Sequence, residues 1–405
     1  MYIYKAGVVG AGTMGAGIAQ VISYSGLPVV LRDVNQELVD KGIARIREIY
    51  DGRVKKGKMN SSDAEQKMAL ITGTTKLDDF KDVDIAIEAV PEKMDLKKKV
   101  FAELDQVLPP GAILSSNTSA LSISELGAAT KRPGRVIGLH FFFPAHVMKL
   151  IEVIPGLATE EEVITDTIAF SESLRKIPIR VAECAGFLIN RLLMPYLNEA
   201  AFCLQEGAAG LREIDEAAVQ FGLPMGPFTL VDNLGLDVCS DVVKVLLESY
   251  GNRMQPAALW QKLYDKKRFG VKTGGGFYAY PGGGNDPILK QCIQEAQQVS
   301  KKKGTTFSIE RIIYPMVNEA VLCLQECVAK AGDIDLGLIA GVGFPQDKGG
   351  VLHYADKVGL DVVLKGLEEL YREHGDRFWP APMLRRMAAG KFLGEKTKRG
   401  FFEYG

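Results

Sequence analysis

The chain has 405 residues, of which 47% are hydrophobic and 24% are charged, and this composition is ordinary for a globular protein with a sizeable core. Its formal net charge of -1 excludes a global basic field that would attract nucleic acid or an anionic membrane, so an acidic ligand requires a local basic patch. The sequence has neither an apolar run of about 18 residues, as a membrane span requires, nor the regions of a signal peptide, and we expect a cytosolic protein.

Predicted strands and helices alternate over residues 1–183, and this alternation predicts an α/β Rossmann domain with a doubly wound, mostly parallel sheet. The first elements in chain order are a strand over residues 4–9, a helix over 14–25, a strand over 28–31 and a helix over 37–52. Further strands are predicted over residues 85–90, 113–115, 136–140 and 150–154. Ligands of such sheets bind at the carboxyl ends of the strands, near the point where the strand order reverses.

From about residue 184 the pattern changes to long amphipathic helices, and this region contains an internal repeat. The segment NEAAFCLQE at residues 198–206 returns as NEAVLCLQE at residues 318–326. Arg191 returns as Arg311 at the same offset. The repeated residues are mostly of the kind that pack helices together, so the pattern predicts two structurally similar helical domains.

We place these two tandem all-α domains at residues 184–281 and 286–405, with the glycine-rich residues 281–286 as the linker between them. One polar position does not repeat, since Asn190 in the first copy becomes Glu310 in the second. A duplication that keeps packing residues but changes a polar one indicates that only the first copy serves a functional site.

Residues 10–15 read GAGTMG, a G-x-G-x-x-G pattern that follows the first strand and opens the first helix. The glycines permit a tight turn and close approach of a pyrophosphate, to which the helix N-terminus offers N–H groups. Asp33 ends the second strand, where a carboxylate binds both ribose hydroxyls and repels a 2′-phosphate, while the neighbouring Arg32 points elsewhere because side chains alternate along a strand. The pattern predicts NAD as the cofactor. The residues expected to bind it here are Gly10, Gly12, Thr13, Met14, Gly15 and Asp33.

Two further segments place polar side chains at the ends of predicted strands. Residues 115–119 (SSNTS) follow one strand, His140 ends the next, and Glu152 lies on the strand after that. Oxidation of a secondary alcohol releases a hydride and a proton, and a neutral imidazole whose tautomer is fixed by a carboxylate is a suitable base for the proton. A lone histidine near a strand end is more often a core residue, and His146, in the following turn, is the competing candidate.

Taken together, these motifs resemble the 3-hydroxyacyl-CoA dehydrogenase family over essentially the whole chain. The tandem C-terminal region resembles the corresponding part of the multifunctional fatty-acid oxidation proteins. The resemblance implies reversible NAD-dependent oxidation of (S)-3-hydroxyacyl-CoA to 3-oxoacyl-CoA, in fatty-acid β-oxidation or butanoate-type metabolism. The matching motifs are the glycine loop and its helix at residues 8–20, SNTS at 116–119, GLHFF-P at 138–144, MKLxEVI at 148–154 and GFLINRLL at 186–193.

The resemblance also implies roles for individual residues. His140 matches the catalytic histidine and Glu152 its carboxylate partner. Ser119 and Asn190 match the polar residues that hold the substrate 3-oxygen and the histidine. The further cofactor contacts that the family implies are Glu92, Lys97 and Asn117.

Two features concern the acyl-CoA substrate. The family usually has asparagine where this sequence has Phe143, and we expect this ring to reshape the acyl pocket. A basic cluster of Arg53, Lys55, Lys56 and Lys58 follows the long helix after the second strand, and the family places CoA near this region. A solvated charged turn explains the same cluster equally well.

Two other functions remain open on the sequence alone. One is an NAD-dependent dehydrogenase of a free 3-hydroxy acid or sugar acid, and the other is a non-catalytic protein on the same fold, for which Phe143 is the only sign. The six cysteines form no CxxC pair, and we predict no metal site. Single-copy family members pair their helical domains in a homodimer, so we expect the second copy to replace the partner subunit and the chain to be a monomer.

Overall fold

The computed structural model describes residues 2–282, 286–300 and 306–405. It divides into two compact units, Met1–Phe187 and Leu188–Gly405. The first unit is an α/β domain and the second is built from helices, so the predicted fold class is confirmed. Part of the predicted linker, residues 283–285, lies outside the described residues.

The first unit is organised around an eight-stranded sheet in the order β3-β2-β1-β4-β5-β6-β7-β8. Neighbouring strands are parallel except for the antiparallel pair β6 and β7. The strand order reverses between β1 and β4, so the turn after β1 lies at the switch point where such sheets bind ligands. The strands are β1 (Ala6–Val9), β2 (Val29–Arg32), β3 (Ile71–Thr74), β4 (Ile85–Glu88), β5 (Ile113–Ser116), β6 (Val136–Phe141), β7 (Leu150–Pro155) and β8 (Ile177–Arg180).

Helices cover the sheet of the first unit and complete its core. The central strands are buried along their whole length, because apolar runs such as Ile85–Glu88 are covered on both faces. The long helix that follows β2 begins where the Asn35 side chain accepts a hydrogen bond from the backbone of Leu38, as an N-cap does. The helices are α1 (Thr13–Tyr24), α2 (Gln36–Lys55), α3 (Ser61–Met68), α4 (Met94–Val107), α5 (Ile123–Gly127) and α6 (Glu161–Ser173).

The second unit contains both copies of the sequence repeat. Its helices in the first copy are α7 (Ile189–Glu206), α8 (Leu211–Phe221), α9 (Pro227–Leu234), α10 (Leu236–Tyr250) and α11 (Ala258–Asp265). A helix α12 (Pro287–Val299) precedes the second copy, whose helices are α13 (Ile309–Gln325), α14 (Ala331–Val342), α15 (Val351–Val358), α16 (Leu360–His374) and α17 (Pro382–Ala389).

Equivalent helices of the two copies, α7 and α13, pack against each other and exchange buried ion pairs. Arg191 on α7 binds Glu319 on α13 at 2.7 Å, and Arg311 on α13 binds Glu199 on α7 at 2.8 Å. The two arginines and their partners are almost fully buried. The copies therefore meet through the same residues in reciprocal positions, as two subunits of a symmetric dimer do.

Within the described parts of the chain, none of the helices has the combination of length and apolar character that crossing a membrane requires.

Candidate active site

The glycine loop has the backbone geometry that a bound pyrophosphate requires. Gly10 adopts a φ of +104°, and a Cβ atom there would lie 2.6 Å from the carbonyl oxygen of Ala89. A Cβ on Gly15 would lie 1.7 Å from the carbonyl oxygen of Gly10. Only glycine at this position therefore permits helix α1 to approach β1 this closely. A Cβ on Gly12 would meet nothing within 4 Å, and Gly12 and Thr13 are exposed at the open helix end.

The first turn of α1 carries no acidic residue and no side-chain cap, so no residue of that turn neutralises the positive end of the helix dipole. Met14 is partly buried in this turn. The space beside Gly12 and the charge-free helix terminus fit the pyrophosphate of a dinucleotide. Thr13, Met14 and the three glycines of the motif would hold it.

Asp33 is positioned at the carboxyl end of β2 by two backbone hydrogen bonds. Its Oδ2 accepts from the N–H of Ala11 at 2.7 Å, and its Oδ1 accepts from the N–H of Val34 at the same distance. Each carboxylate oxygen keeps a further lone pair, so the group can still accept hydrogen bonds from a ribose. Arg32 points elsewhere, with its Nε 3.5 Å from the carbonyl oxygen of Thr75.

His140 and Glu152 form a buried pair on adjacent antiparallel strands. The register of β6 and β7 places the two residues directly opposite each other, so their side chains project to the same face of the sheet. The Nδ1 atom of His140 lies 2.7 Å from Oε2 of Glu152, and the carboxylate is fully buried. The rings of Phe142 and Phe187 lie 4.5 Å and 6.0 Å from the imidazole, between centroids, and help to exclude water from it.

Hydrogen bonds connect the loop after β5 to the end of β6 and to the segment that follows β4. The side-chain oxygen of Asn117 accepts a hydrogen bond from the backbone N–H of Phe141 at 2.8 Å, one residue beyond His140. The N–H of Ser119 donates to Oε1 of Glu92 at 2.8 Å. Because β4, β5 and β6 are parallel neighbours, their carboxyl ends bring the residues that follow them to one edge of the sheet.

Lys97 is buried rather than exposed toward a ligand. Its ammonium nitrogen lies 2.8 Å and 3.0 Å from the two carboxylate oxygens of Glu88 and 3.2 Å from Oε2 of Glu92. The family resemblance indicated Lys97 and Glu92 but not Glu88, whose full burial depends on tertiary packing. The acidic residue at the end of an otherwise apolar strand was the available signal.

Phe143 is exposed and borders a groove in the first unit. The groove also contains Thr13 and Gly17 from α1, Arg45 from α2 and His146 from the turn after β6. Burial lowers the pKa of His146, so its imidazole is neutral over a wider pH range than usual. Because it shares this groove with Thr13, His146 is near the glycine loop. Of these two histidines, only His140 is paired with Glu152.

The basic cluster lies at the carboxyl end of α2 and just beyond it. Arg53 is partly buried, and its guanidinium stacks over the ring of Tyr24 at 4.5 Å. Lys55, Lys56 and Lys58 are exposed. Three exposed lysines at the negative end of the helix dipole are favourably placed whether or not they meet a ligand.

Asn190 is the second residue of α7, in the second unit, and is partly buried. In the second copy, Glu310 occupies the same position of α13. The difference that the sequence indicated therefore falls on structurally equivalent first turns. The role of Asn190 stays a prediction.

A Rossmann unit whose glycine loop opens at the switch point places this chain among the dinucleotide-binding proteins. The model of the 3-hydroxyacyl-CoA dehydrogenase NAD-binding domain matches residues 5–184, and the model of the family's C-terminal domain matches residues 186–280 and 307–404. The chain belongs to the 3-hydroxyacyl-CoA dehydrogenase family, as the sequence motifs predicted, and its cofactor is NAD.

Curated relatives include longer proteins. The glyoxysomal fatty acid β-oxidation multifunctional protein MFP-a of Brassica napus is 37% identical, over 98% of this chain and 55% of that protein. The fatty acid oxidation complex subunit alpha of Shewanella sp. strain MR-4 is 38% identical, over 96% of this chain and 56% of that protein. The chain thus spans about half the length of the curated relatives that it matches.

Solved structures match nearly the whole chain or about two thirds of it. The 3-hydroxybutyryl-CoA dehydrogenase of Escherichia coli K12 superimposes with a TM-score of 0.87 at 29% identity, covering 96% of this chain and 99% of that one. The (S)-3-hydroxybutyryl-CoA dehydrogenase PaaH1 of Ralstonia eutropha gives a TM-score of 0.67 at 41% identity, covering 69% of this chain and 99% of that one.

Proposed function

We propose that this protein interconverts (S)-3-hydroxyacyl-CoA and 3-oxoacyl-CoA with NAD as the hydride carrier, in fatty-acid β-oxidation or butanoate-type metabolism. The observation that carries the proposal is the buried His140–Glu152 pair, with 2.7 Å between Nδ1 and Oε2, in the unit that bears the glycine loop. The names of the relatives support the substrate class, because they are β-oxidation proteins and 3-hydroxybutyryl-CoA dehydrogenases.

The His140–Glu152 pair supplies the acid–base chemistry of this reaction. Bound NAD would supply the acceptor for the hydride that leaves C3 of the substrate. Glu152 accepts a hydrogen bond from Nδ1–H of His140, and this tautomer leaves Nε2 free to remove the proton of the 3-hydroxyl. The buried carboxylate then stabilises the imidazolium. In the reverse direction the imidazolium returns the proton from Nε2 to the 3-oxygen.

Ser119 and Asn190 orient the substrate 3-oxygen in this proposal. A hydroxyl and an amide are donors that stabilise an oxygen on which negative charge develops. Support for Ser119 comes from its backbone, which Glu92 holds at the carboxyl edge of the sheet. Support for Asn190 comes from its place in the first copy of the repeat, where the second copy has Glu310.

Asp33 is expected to set the preference for NAD over NADP. Asp33→Asn removes the charge that repels a 2′-phosphate and weakens the hydrogen bonds to the ribose, so KM for NADH should rise roughly 10–100-fold while KM for NADPH falls or stays constant. The measurement is kcat/KM with each cofactor. Asp40→Asn, on the exposed face of α2, is the matched control and should leave both values unchanged. A constant ratio in Asp33→Asn would remove Asp33 from cofactor selection.

The CoA moiety carries several negative charges, and we propose that Lys55 and Lys56 contribute to its binding. Both are exposed at the end of α2, whose exposed Arg45 borders the groove beside Phe143. Phe143 supplies apolar surface to the acyl chain in this arrangement.

Replacing Phe143 with asparagine should lower the preference for long acyl chains. The ring is 55% exposed at the groove, and the loss of its apolar contact should reduce kcat/KM for a C10 substrate relative to a C4 substrate by roughly tenfold. Steady-state kinetics across acyl lengths provide the measurement. Val147→Asn changes a similarly exposed residue of the same turn that does not border the groove, and the length preference of this variant should be that of the native protein. Equal kinetics of Phe143→Asn and native protein at every length would refute the assignment.

We further propose that the chain is a cytosolic monomer in which the second helical copy takes the place of a partner subunit. The reciprocal pairs of Arg191 and Arg311 support the substitution of one copy for a subunit. The six cysteines form no disulfide bond with one another, as is usual in a reducing compartment. Sedimentation equilibrium at the mass of one 44.2 kDa chain is the expected result.

The experiment that tests the function follows NADH oxidation with acetoacetyl-CoA, beside NADPH and beside free acetoacetate. Fast turnover with NADH and the CoA ester only is the expected result. Turnover of free acetoacetate at a similar rate would favour a dehydrogenase of free 3-hydroxy acids instead. Measurable NADH binding without turnover of any acyl-CoA would refute the proposed substrate class.

A further inference from the structure

The first unit contains a buried ion pair that the acid–base chemistry described above does not use. Lys97 and Glu88 have exposed side-chain fractions of 1% and 0%. Burial raises the pKa of Glu88, and Lys97 and Ser116 act against that rise, so the carboxylate depends on its partners to stay charged. Buried pairs of this kind add little stability compared with apolar residues of the same size. Stability alone therefore does not account for the burial of this pair.

One end of the pair is connected to the loop that carries Ser119, and the other to the end of β5, from which that loop starts. On one side Lys97 contacts Glu92 at 3.2 Å, and Oε1 of Glu92 accepts the N–H of Ser119 at 2.8 Å. On the other side Oε2 of Glu88 accepts a hydrogen bond from the hydroxyl of Ser116 at 2.6 Å. The network thus holds Ser116, the last residue of β5, and Ser119 in the loop that follows.

The hydrogen-bonding capacity of Lys97 is used within this network. Its ammonium group has three hydrogens. Four oxygen atoms lie within 3.3 Å of it, two from Glu88 and one each from Val90 and Glu92. A hydrogen bond from Lys97 to a cofactor would require one of these contacts to break.

We propose that Lys97 and Glu88 are positioning residues, which hold Ser119 in place toward the substrate oxygen through Glu92. The inference rests on the proposed function, in which Ser119 contacts that oxygen. It assigns Lys97 a role different from the direct cofactor contact that family resemblance implies. Glu92 is the transmitting residue, since its two carboxylate oxygens contact Lys97 and the Ser119 backbone separately.

A double-mutant cycle on kcat tests the shared path. Lys97→Met and Glu92→Ala should each lower kcat for acetoacetyl-CoA reduction roughly 10–100-fold, because small displacements of a positioning group have effects of this size. The combined variant should be within about twofold of Glu92→Ala. Multiplication of the two single effects would overturn the proposal in favour of an independent contact of Lys97. Lys98→Met changes the adjacent, partly exposed residue of α4 and should retain native kcat.

A second variant separates positioning from stability. Lys97→Met alone leaves Glu88 buried without its cation and should lower the melting temperature. Glu88→Gln combined with Lys97→Met removes both charges, so it should recover most of the melting temperature while kcat stays low. Recovery of kcat together with the melting temperature would show that the pair is only structural.

Amide hydrogen exchange provides a measurement that does not depend on turnover. The Ser119 amide should exchange at least tenfold faster in Lys97→Met and Glu92→Ala than in the native protein, and at the native rate in Lys98→Met. If the native protein turns over no acyl-CoA but Ser119 exchange still rises, the proposed function fails and the loop-holding role stands. Unchanged exchange in an active native background would refute the positioning role itself.

Discussion

Replacement of His140 by glutamine is expected to lower kcat for acetoacetyl-CoA reduction by roughly 10²–10⁴-fold, with little change in the affinity for NADH. Glutamine keeps a polar side chain opposite Glu152 but cannot take up or release a proton at working pH. We expect the loss of rate to affect kcat because the proton transfer occurs only as the substrate reacts. The measurement is steady-state kinetics together with a fluorescence titration of NADH.

His146→Gln is the matched control for this prediction, since His146 is the other histidine of the first unit and lies near the glycine loop. Its pKa is lowered by burial, but its ring is not placed opposite Glu152. We expect kcat within about threefold of the native value, as for a substitution away from the proton transfer. A near-normal rate in His140→Gln combined with a large loss in His146→Gln would exchange the roles of the two residues.

Replacement of Arg311 by methionine is expected to reduce the free energy of unfolding by about 3–5 kcal/mol. The guanidinium binds Glu199 at 2.8 Å and Glu206 at 2.6 Å, and all three side chains are at most 3% exposed. Burial by itself lowers the pKa of Arg311, but the two carboxylates raise it above its ordinary value, so the group is fully charged. Its removal leaves two buried carboxylates with reduced compensation, which is the costly outcome for a buried pair.

Urea unfolding followed by tryptophan fluorescence measures this loss selectively. The two tryptophans, Trp260 and Trp379, both lie in the second unit, so their signal reports the unit that contains Arg311. Arg385→Met removes a partner from the more exposed pair with Glu368 and should cost less than about 1 kcal/mol. Equal midpoints for Arg311→Met and Arg385→Met would show that the buried pairs between α7 and α13 contribute no more than a surface pair.

The central strands of the sheet could be predicted from the sequence because they are apolar and lie between clear turn signals. Two strands were not predicted, β3 (Ile71–Thr74) and β8 (Ile177–Arg180), and they form the two edges of the sheet. Each has only four residues, and each includes a residue that disfavours strands, Gly73 or Pro178. Edge strands of this kind form because a neighbouring strand is available for pairing. The local sequence pattern does not indicate that neighbour.

The site was partly predictable for the same reason. Residue type and strand order indicated His140 and Glu152, but their direct opposition depends on the register of the β6–β7 pair, which the sequence pattern leaves open. The motif match selected Lys97 as a residue near the cofactor. Its burial against Glu88 follows from the packing of α4 on the sheet, and a list of matching positions contains no information on packing.

The reciprocal ion pairs between α7 and α13 have a consequence for how the protein responds to dilution and to mutation. Because both helices belong to one chain, the contact between the copies does not depend on protein concentration, whereas a homodimer dissociates when it is dilute enough. In a homodimer every substitution also appears on both sides of the contact. Here each side can change alone, and the difference between Asn190 and its counterpart Glu310 is one that no symmetric dimer could encode.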